Sequence, residues 1–301
     1  MPEIAGKNRL WGILAGLTAA AIWGGMYVVS KVVMQVIPPF SLITLRLVLG
    51  ILTLAAILLI RKGWKVTPKQ FWQVFSVGSV GYGISLGFQF VGTKLSTAAN
   101  GSLVTSATPA FVLLFAAIIL KEKITPRRLL ALVIAMLGVV AVITPAVWGL
   151  TPRTAQLSSS LFLGNLSLIA AALTWALYSV LVRKVTRDVD VLSTSLIAFA
   201  GGLPISIPLG AWEASAQGYG LITPGVIGGI LFLGIICTAL AMYFWNTAFA
   251  RLEAGAASLT FFAQPVVGTV LGAIFLCEKI TPMFIVGGVL IGIGLLVSSK
   301  E

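Results

Sequence analysis

The chain has 301 residues, of which 58% are hydrophobic and 9% charged, with a formal net charge of +12 and no histidine. A mean hydropathy of +1.07 excludes a water-soluble domain. The positive charge does not indicate nucleic acid, because the basic residues fall in short stretches between apolar runs, where they set orientation in a bilayer.

Apolar runs of about 20 residues follow one another, each long enough for ~30 Å of hydrocarbon. They predict an all-α integral membrane protein of ten transmembrane helices. The expected spans are Leu10 to Ile37, Phe40 to Ile60, Gln70 to Thr93, Ser96 to Leu120, Arg127 to Ile143, Leu161 to Val185, Val191 to Gly210, Pro224 to Ala250, Ala254 to Cys277 and Met283 to Val297. The first run is too long for a signal peptide and lacks a small-residue cleavage site, so it is expected to remain as a helix. The one long connection, TPAVWGLTPRTAQLSSS at 144–160, divides the chain into two five-helix units, 1–150 and 151–301, with no extramembrane domain. Cys237 and Cys277 both lie in apolar runs and read as two buried small hydrophobes with no disulfide between them.

With the N-terminus in the cytoplasm, fifteen of the 20 basic residues fall inside, Lys94, Arg153 and Lys279 fall outside, and Lys31 and Arg46 lie within spans. This asymmetry places both termini in the cytoplasm. An odd number of helices per unit then requires the second unit to cross in the opposite sense, an inverted repeat. The phrase PAFVLLFAAIILKEKITP at 109–126 returns as PVVGTVLGAIFLCEKITP at 265–282, an offset of 156 positions. Across it Lys121 becomes Cys277, Arg127 becomes Met283 and Arg128 becomes Phe284, as the positive-inside rule requires of a loop moved outside. WGGMYVVSK at 23–31 similarly echoes WALYSVLVR at 175–183.

These phrases, with TLRLVLG in the second run and YFWNTAFARLEAGAASLTFFAQPVVG in the second half, resemble the drug/metabolite transporter superfamily and its EamA-type ten-helix members, over essentially the whole chain. The resemblance implies alternating-access export of a small metabolite. Exporters of aromatic amino acids are the favoured neighbours, and exporters of other metabolites or toxic compounds and phosphate-ester or nucleotide-sugar antiporters are alternatives. It implies a multi-pass protein of a bacterial inner membrane. The expected partners are the lipid bilayer and a small-molecule substrate. A monomer is favoured, with a homodimer as the alternative.

Inverted-repeat transporters bind near the midplane, where interrupted helices expose backbone groups. Pro109 and Pro265 lie near the middle of their spans and strip the carbonyls of Thr105 and Phe261 of their helical partners. Trp23 and Trp175 sit deep in their runs, with Tyr27 and Tyr178 about one turn away, which suggests an aromatic-walled cavity or ordinary helix packing. Tyr82 and Tyr243 join this candidate set. Gln89 and Asn246 are repeat equivalents, and Asn100, Thr105, Thr108 and Gln264 add polar groups that bind either a ligand or one another. The glycine pairs 83/87, 225/229, 268/272 and 288/292 read as close helix contacts.

Arg46 has no acidic partner at its depth, roughly 9 Å below the outer surface at ~1.5 Å per residue. Either helix-terminal carbonyls satisfy it or an anionic substrate group does. Lys31, at similar depth, reads as snorkelling. All eight carboxylates (Glu3, Glu122, Asp188, Asp190, Glu213, Glu253, Glu278 and Glu301) lie at span ends or in loops. The related four-helix multidrug exporters carry a membrane glutamate in their first helix, and this chain has none there, which disfavours cationic drugs. Without histidine, an intramembrane carboxylate or G-x-x-x-x-G-K-[ST], neither an enzyme nor an ATP-driven pump is expected, and no cofactor or metal. One or two cations for a carboxylate, amide and carbonyl oxygens for an ammonium and aromatic walls together suggest amino acids with aromatic or large apolar side chains. A receptor or scaffold is the reading from a different class.

Overall fold

The computed structural model describes residues 2–61, 65–119, 121, 125–147, 152–185, 189–251 and 260–299. Among these, every regular element is a helix. They run α1 (Pro2–Val33), α2 (Pro39–Arg61), α3 (Pro68–Leu95), α4 (Ala98–Ile119), α5 (Pro126–Val147), α6 (Pro152–Val185), α7 (Val191–Gln217), α8 (Pro224–Leu231 continuing to Arg251), α9 (Ala263–Leu276, after a 3-10 turn at Thr260–Phe262) and α10 (Pro282–Ser299). Seven stretches are long and apolar enough to cross a membrane, in α1, α2, α3, α4, α6, α7 and α8. Shorter apolar stretches, Leu129–Ala141, Ala263–Leu276 and Pro282–Gly294, occupy α5, α9 and α10.

The helix starts follow from local chemistry. Proline at the first helical position lacks the N–H that would be unpaired there anyway. Thr67 precedes Pro68 and accepts from the Gln70 N–H, and Thr223 precedes Pro224 and accepts from the Val226 N–H. At the other end of the repeated phrase, Lys121 and Cys277 are the non-glycine residues with positive φ among those described, at 57° and 53°. They are 156 positions apart, like the phrase itself. A left-handed residue terminates a helix, so in both copies a stop immediately precedes E-K-I-T-P and a helix starts at its proline, Pro126 or Pro282. Cys277 is exposed there, contrary to its reading as a buried hydrophobe, because this left-handed position turns it out of the helix; Cys237 is buried.

All three carboxylates with described side chains cap helix N-termini. Asp190 accepts from the N–H groups of Leu192 and Ser193, Glu213 from that of Phe40 at 2.7 Å, and Glu278 from those of Ala98 and Ala99 at 2.7 and 2.9 Å. The last two join the chain's halves, since each carboxylate lies in the second half and its target in the first. An N-cap contributes about 1 kcal/mol. Glu278→Ala should therefore lower the melting temperature in detergent by a few degrees, and an unchanged transition would mean that water replaces the cap.

Helix packing is symmetric on exchanging each helix with the one five places on. α2 packs on α7 and α5 on α10; α1 packs on α8 and α9 as α6 packs on α3 and α4; α3 packs on α7 as α8 packs on α2. The closest approach is between α3 and α7. A Cβ at Gly78 would lie 2.3 Å from the Ala198 carbonyl oxygen, and one at Gly201 2.1 Å from that of Phe75. Of the glycine pairs expected at contacts, Gly83, Gly87, Gly229, Gly268 and Gly272 would place a Cβ within 2.9 Å of a neighbour, but Gly225 meets only Thr223 at 3.7 Å. The small-residue spacing does not distinguish a packed face from a lipid-facing one.

Candidate functional site

Three helices that line one cavity depart from regular α geometry. α3 contains a π segment at Ser79–Ser85, and α8 contains one at Phe232–Leu240. α4 breaks between Thr105 and Thr108, with the N–H groups of Ser106 and Ala107 bonded three residues back. The carbonyl that Pro109 orphans, that of Thr105, accepts from the Thr108 hydroxyl at 2.6 Å. Pro265 lies in the first turn of α9, directly after the 3-10 turn at Thr260–Phe262, as Pro109 lies in the first turn of the second part of α4; the expected span before Thr260 lies outside the described residues.

Around these irregular segments lies a narrow cavity of about 60 Å³, which opens into about 580 Å³ of space when its mouth is included. Trp23, Tyr27, Arg46, Tyr82, Gln89, Thr105, Trp175, Phe261 and Gln264 line it, and all nine were legible as candidates.

A polar chain crosses it. Gln89 Nε2 donates to the Tyr27 hydroxyl (2.8 Å), which lies 2.5 Å from Thr105 Oγ1. Thr105 donates to the Gly101 carbonyl and accepts from Gln264 Nε2 at 3.0 Å, so Tyr27 is the donor to Thr105. The chain thereby joins α1, α3, α4 and α9. Both glutamine Oε1 atoms are left without a protein donor among the described residues.

Arg46 is 3% exposed. Its Nε donates to Thr238 Oγ1 (3.1 Å), one terminal nitrogen contacts Met26 Sδ at 3.3 Å, and its Cζ lies 5.2 Å from the Phe90 ring centroid. Thr238 is itself held by donating to the Leu233 carbonyl, five residues back in the π segment. A guanidinium has five N–H donors, and the remainder take no protein acceptor among the described residues. Lys31, by contrast, donates to the carbonyls of Thr93 and Ser96, so the terminal carbonyls of α3 hold it and it does not snorkel into water.

Two aromatic clusters face each other. Trp23 packs against Trp245 (centroids 5.3 Å apart) and Phe261 (6.0 Å), and its Nε1 donates to the Cys237 carbonyl at 3.0 Å. Opposite, Tyr82 packs edge-on against Trp175, Tyr178 and Phe199. Tyr178 backs this wall from behind and does not line the cavity.

Other candidates lie elsewhere. Asn100 bonds Ser96 and Asn165, tying α4 to α6 as interhelical glue. Pro109 and Pro265 shape helix starts without lining the cavity. Tyr243 is 48% exposed and lines an apolar surface groove with Thr53, Leu54 and Leu192 instead. The side chain of Asn246, like Glu122 and Glu253, lies outside the described residues. Thr108, expected as a polar group, also lines it, and unforeseen lining comes from Met26, Ser85, Leu86, Ala171, Ala172, Cys237, Thr238 and Met242. Three of these fall in or beside the π segment of α8, where a 3.6-residue period points the wrong way.

Apolar helices around a cavity with a polar lining define a multi-pass membrane transporter. Comparison with known proteins gives the family. The profile of the EamA-like transporter family matches twice, at residues 10–144 and 162–300, and the chain belongs to that family. It is 25% identical to an uncharacterized transporter of Archaeoglobus fulgidus over 94% of this chain and 95% of that one. It is 28% identical to the uncharacterized transporter YyaM of Bacillus subtilis, over 92% of this chain and 89% of that one. A probable amino-acid metabolite efflux pump of Salmonella typhimurium is 27% identical, over 97% and 95%. One solved crystal structure, 23% identical, shares the fold with a TM-score of 0.67 over 96% of this chain and 98% of that one.

Proposed function

We propose that this protein exports small metabolites by alternating access, with amino acids of aromatic or large apolar side chain as its substrates. The carrying observation is one cavity walled by both halves: α1 to α4 from the first, α6, α8 and α9 from the second. In this reading the chain spans a bacterial inner membrane ten times, as two inverted five-helix repeats, 1–150 and 151–301, with both termini cytoplasmic. The exchange-symmetric packing, the left-handed pair Lys121 and Cys277, the paired Thr-Pro starts and the doubled family match support the repeat. The relatives named as amino-acid metabolite efflux pumps support the substrate class.

In that orientation the ties of Glu278 to α4, Glu213 to α2 and Gly220 N–H to the Val36 carbonyl close the outer side. They join the two halves and must break for release outward. No carboxylate among the described lining residues is placed to carry protons, which favours facilitative over proton-coupled transport. A single buried guanidinium is too little for phosphate esters, which call for a cluster.

Counterflow in proteoliposomes loaded with labelled amino acids, cationic dyes and sugar phosphates tests this. Exchange of phenylalanine, tryptophan or leucine is expected. Preference for the dyes would refute the acid-free cavity, and absence of any flux would make the protein a receptor or scaffold.

A further inference from the structure

We propose that, within this site, the preferred ligand is the carboxylate anion of an aromatic or large apolar acid without a charged amine, and that the matching amino acid binds more weakly. The inference rests on the transporter reading and concerns which headgroup the cavity neutralises.

Charge selects the headgroup. Arg46 is the cation of the cavity, 3% exposed and permanently protonated. Among the described residues, no aspartate or glutamate lines the cavity. Glu213 and Glu278 are committed to helix N-termini elsewhere, as is Asp190. The neighbours that Arg46 does have are a hydroxyl, a thioether and an aromatic face, all neutral. A monocarboxylate therefore cancels the one charge among the described lining residues. It can also occupy a planar donor fork that Thr238 already aims through Nε.

A zwitterion does not cancel that charge. Its carboxylate pairs with Arg46, but its ammonium enters the same low-dielectric space, is repelled by the guanidinium and finds no counter-ion. What the cavity offers an N–H is the pair of amide oxygens of Gln89 and Gln264 and the faces of Trp23 and Trp175. Neutral acceptors suit a hydroxyl as well as an ammonium, so a 2-hydroxy acid fits them with no second charge to desolvate. A dicarboxylate or phosphate ester fails for the opposite reason, because it brings more negative charge than one guanidinium matches.

The test is a ligand series on one benzyl group: 3-phenylpropanoate, 2-hydroxy-3-phenylpropanoate, L-phenylalanine and phenethylamine, titrated at pH 7 into purified protein in detergent by calorimetry. Both acids should bind at least about tenfold tighter than phenylalanine, with phenethylamine weakest. Arg46→Lys should keep the order but weaken the acids by losing the fork; Arg46→Gln should abolish the advantage of the acids over the amine. The wild-type series decides even if neither variant folds. Phenylalanine binding as tightly as the acids, or tighter, would overturn the inference while leaving the exporter reading intact. No binding by any member of the series would overturn both.

Discussion

Replacing Trp23 by alanine should reduce counterflow per folded molecule by at least about tenfold, whereas Tyr243→Ala should leave it unchanged. Trp23 is 9% exposed and does three things at once. Its ring walls the cavity, it anchors the cluster with Trp245 and Phe261, and its indole N–H holds the Cys237 carbonyl. That carbonyl belongs to the π segment of α8, so truncation frees a cavity wall and unties α1 from the opposite half. A loss of about 1.4 kcal/mol in substrate interaction already gives the tenfold change. Truncating a buried tryptophan also costs about 3–5 kcal/mol of stability, so flux must be normalised to the monodisperse fraction. Tyr243 belonged to the same candidate set, but it is 48% exposed and lines a separate groove. If Trp23→Ala transports at the wild-type rate, the indole is packing only.

Gly201→Val should prevent recovery of folded protein altogether. A Cβ at Gly201 would lie 2.1 Å from the Phe75 carbonyl oxygen and 3.0 Å from the Ser79 nitrogen. Both are backbone atoms, so no rotamer change relieves the clash. Ser79 Oγ also donates to the Gly201 carbonyl at 2.7 Å, which holds α3 and α7 at this separation. Overpacking of this kind costs about 3 kcal/mol or more against a total stability of about 5–15 kcal/mol. Gly225→Ala is the comparison, because nothing but Thr223 lies within 4 Å of a Cβ there. Size-exclusion profiles in detergent should show a monodisperse peak for Gly225→Ala and aggregate for Gly201→Val. A wild-type profile for Gly201→Val would mean that α3 and α7 separate more easily than their contact implies.

The polar site was more legible than the packing that shapes it. Gln89, Thr105 and Gln264 stood out because an amide or hydroxyl in an apolar run must find a partner, and they found one another through Tyr27. Arg46 stood out for the same reason and kept part of its donor capacity unused. Asn100 carried the same signal and proved to be glue, since the position of its partner Asn165 along α6 is invisible in one dimension. Thr238 was missed because a π segment shifts the face of α8, and nothing in FLGIICTAL announces that shift. Pro109 and Pro265 each sit in the first turn of a helical segment, one after the break in α4 and the other after the 3-10 turn that precedes α9.

Composition and the length of the apolar runs alone determined that this chain lives in lipid, because hydrocarbon admits few charges and demands helices whose backbone bonds are internal. The repeated phrase alone determined where stops and starts recur, because left-handed stops and Thr-Pro starts are local chemistry. Which polar residues share a cavity, which glycines touch and which tyrosine faces the lipid were decided only by tertiary structure. Those outcomes depend on how each helix is rotated about its own axis, and in lipid, where every face of a span is apolar, little in the sequence records that rotation.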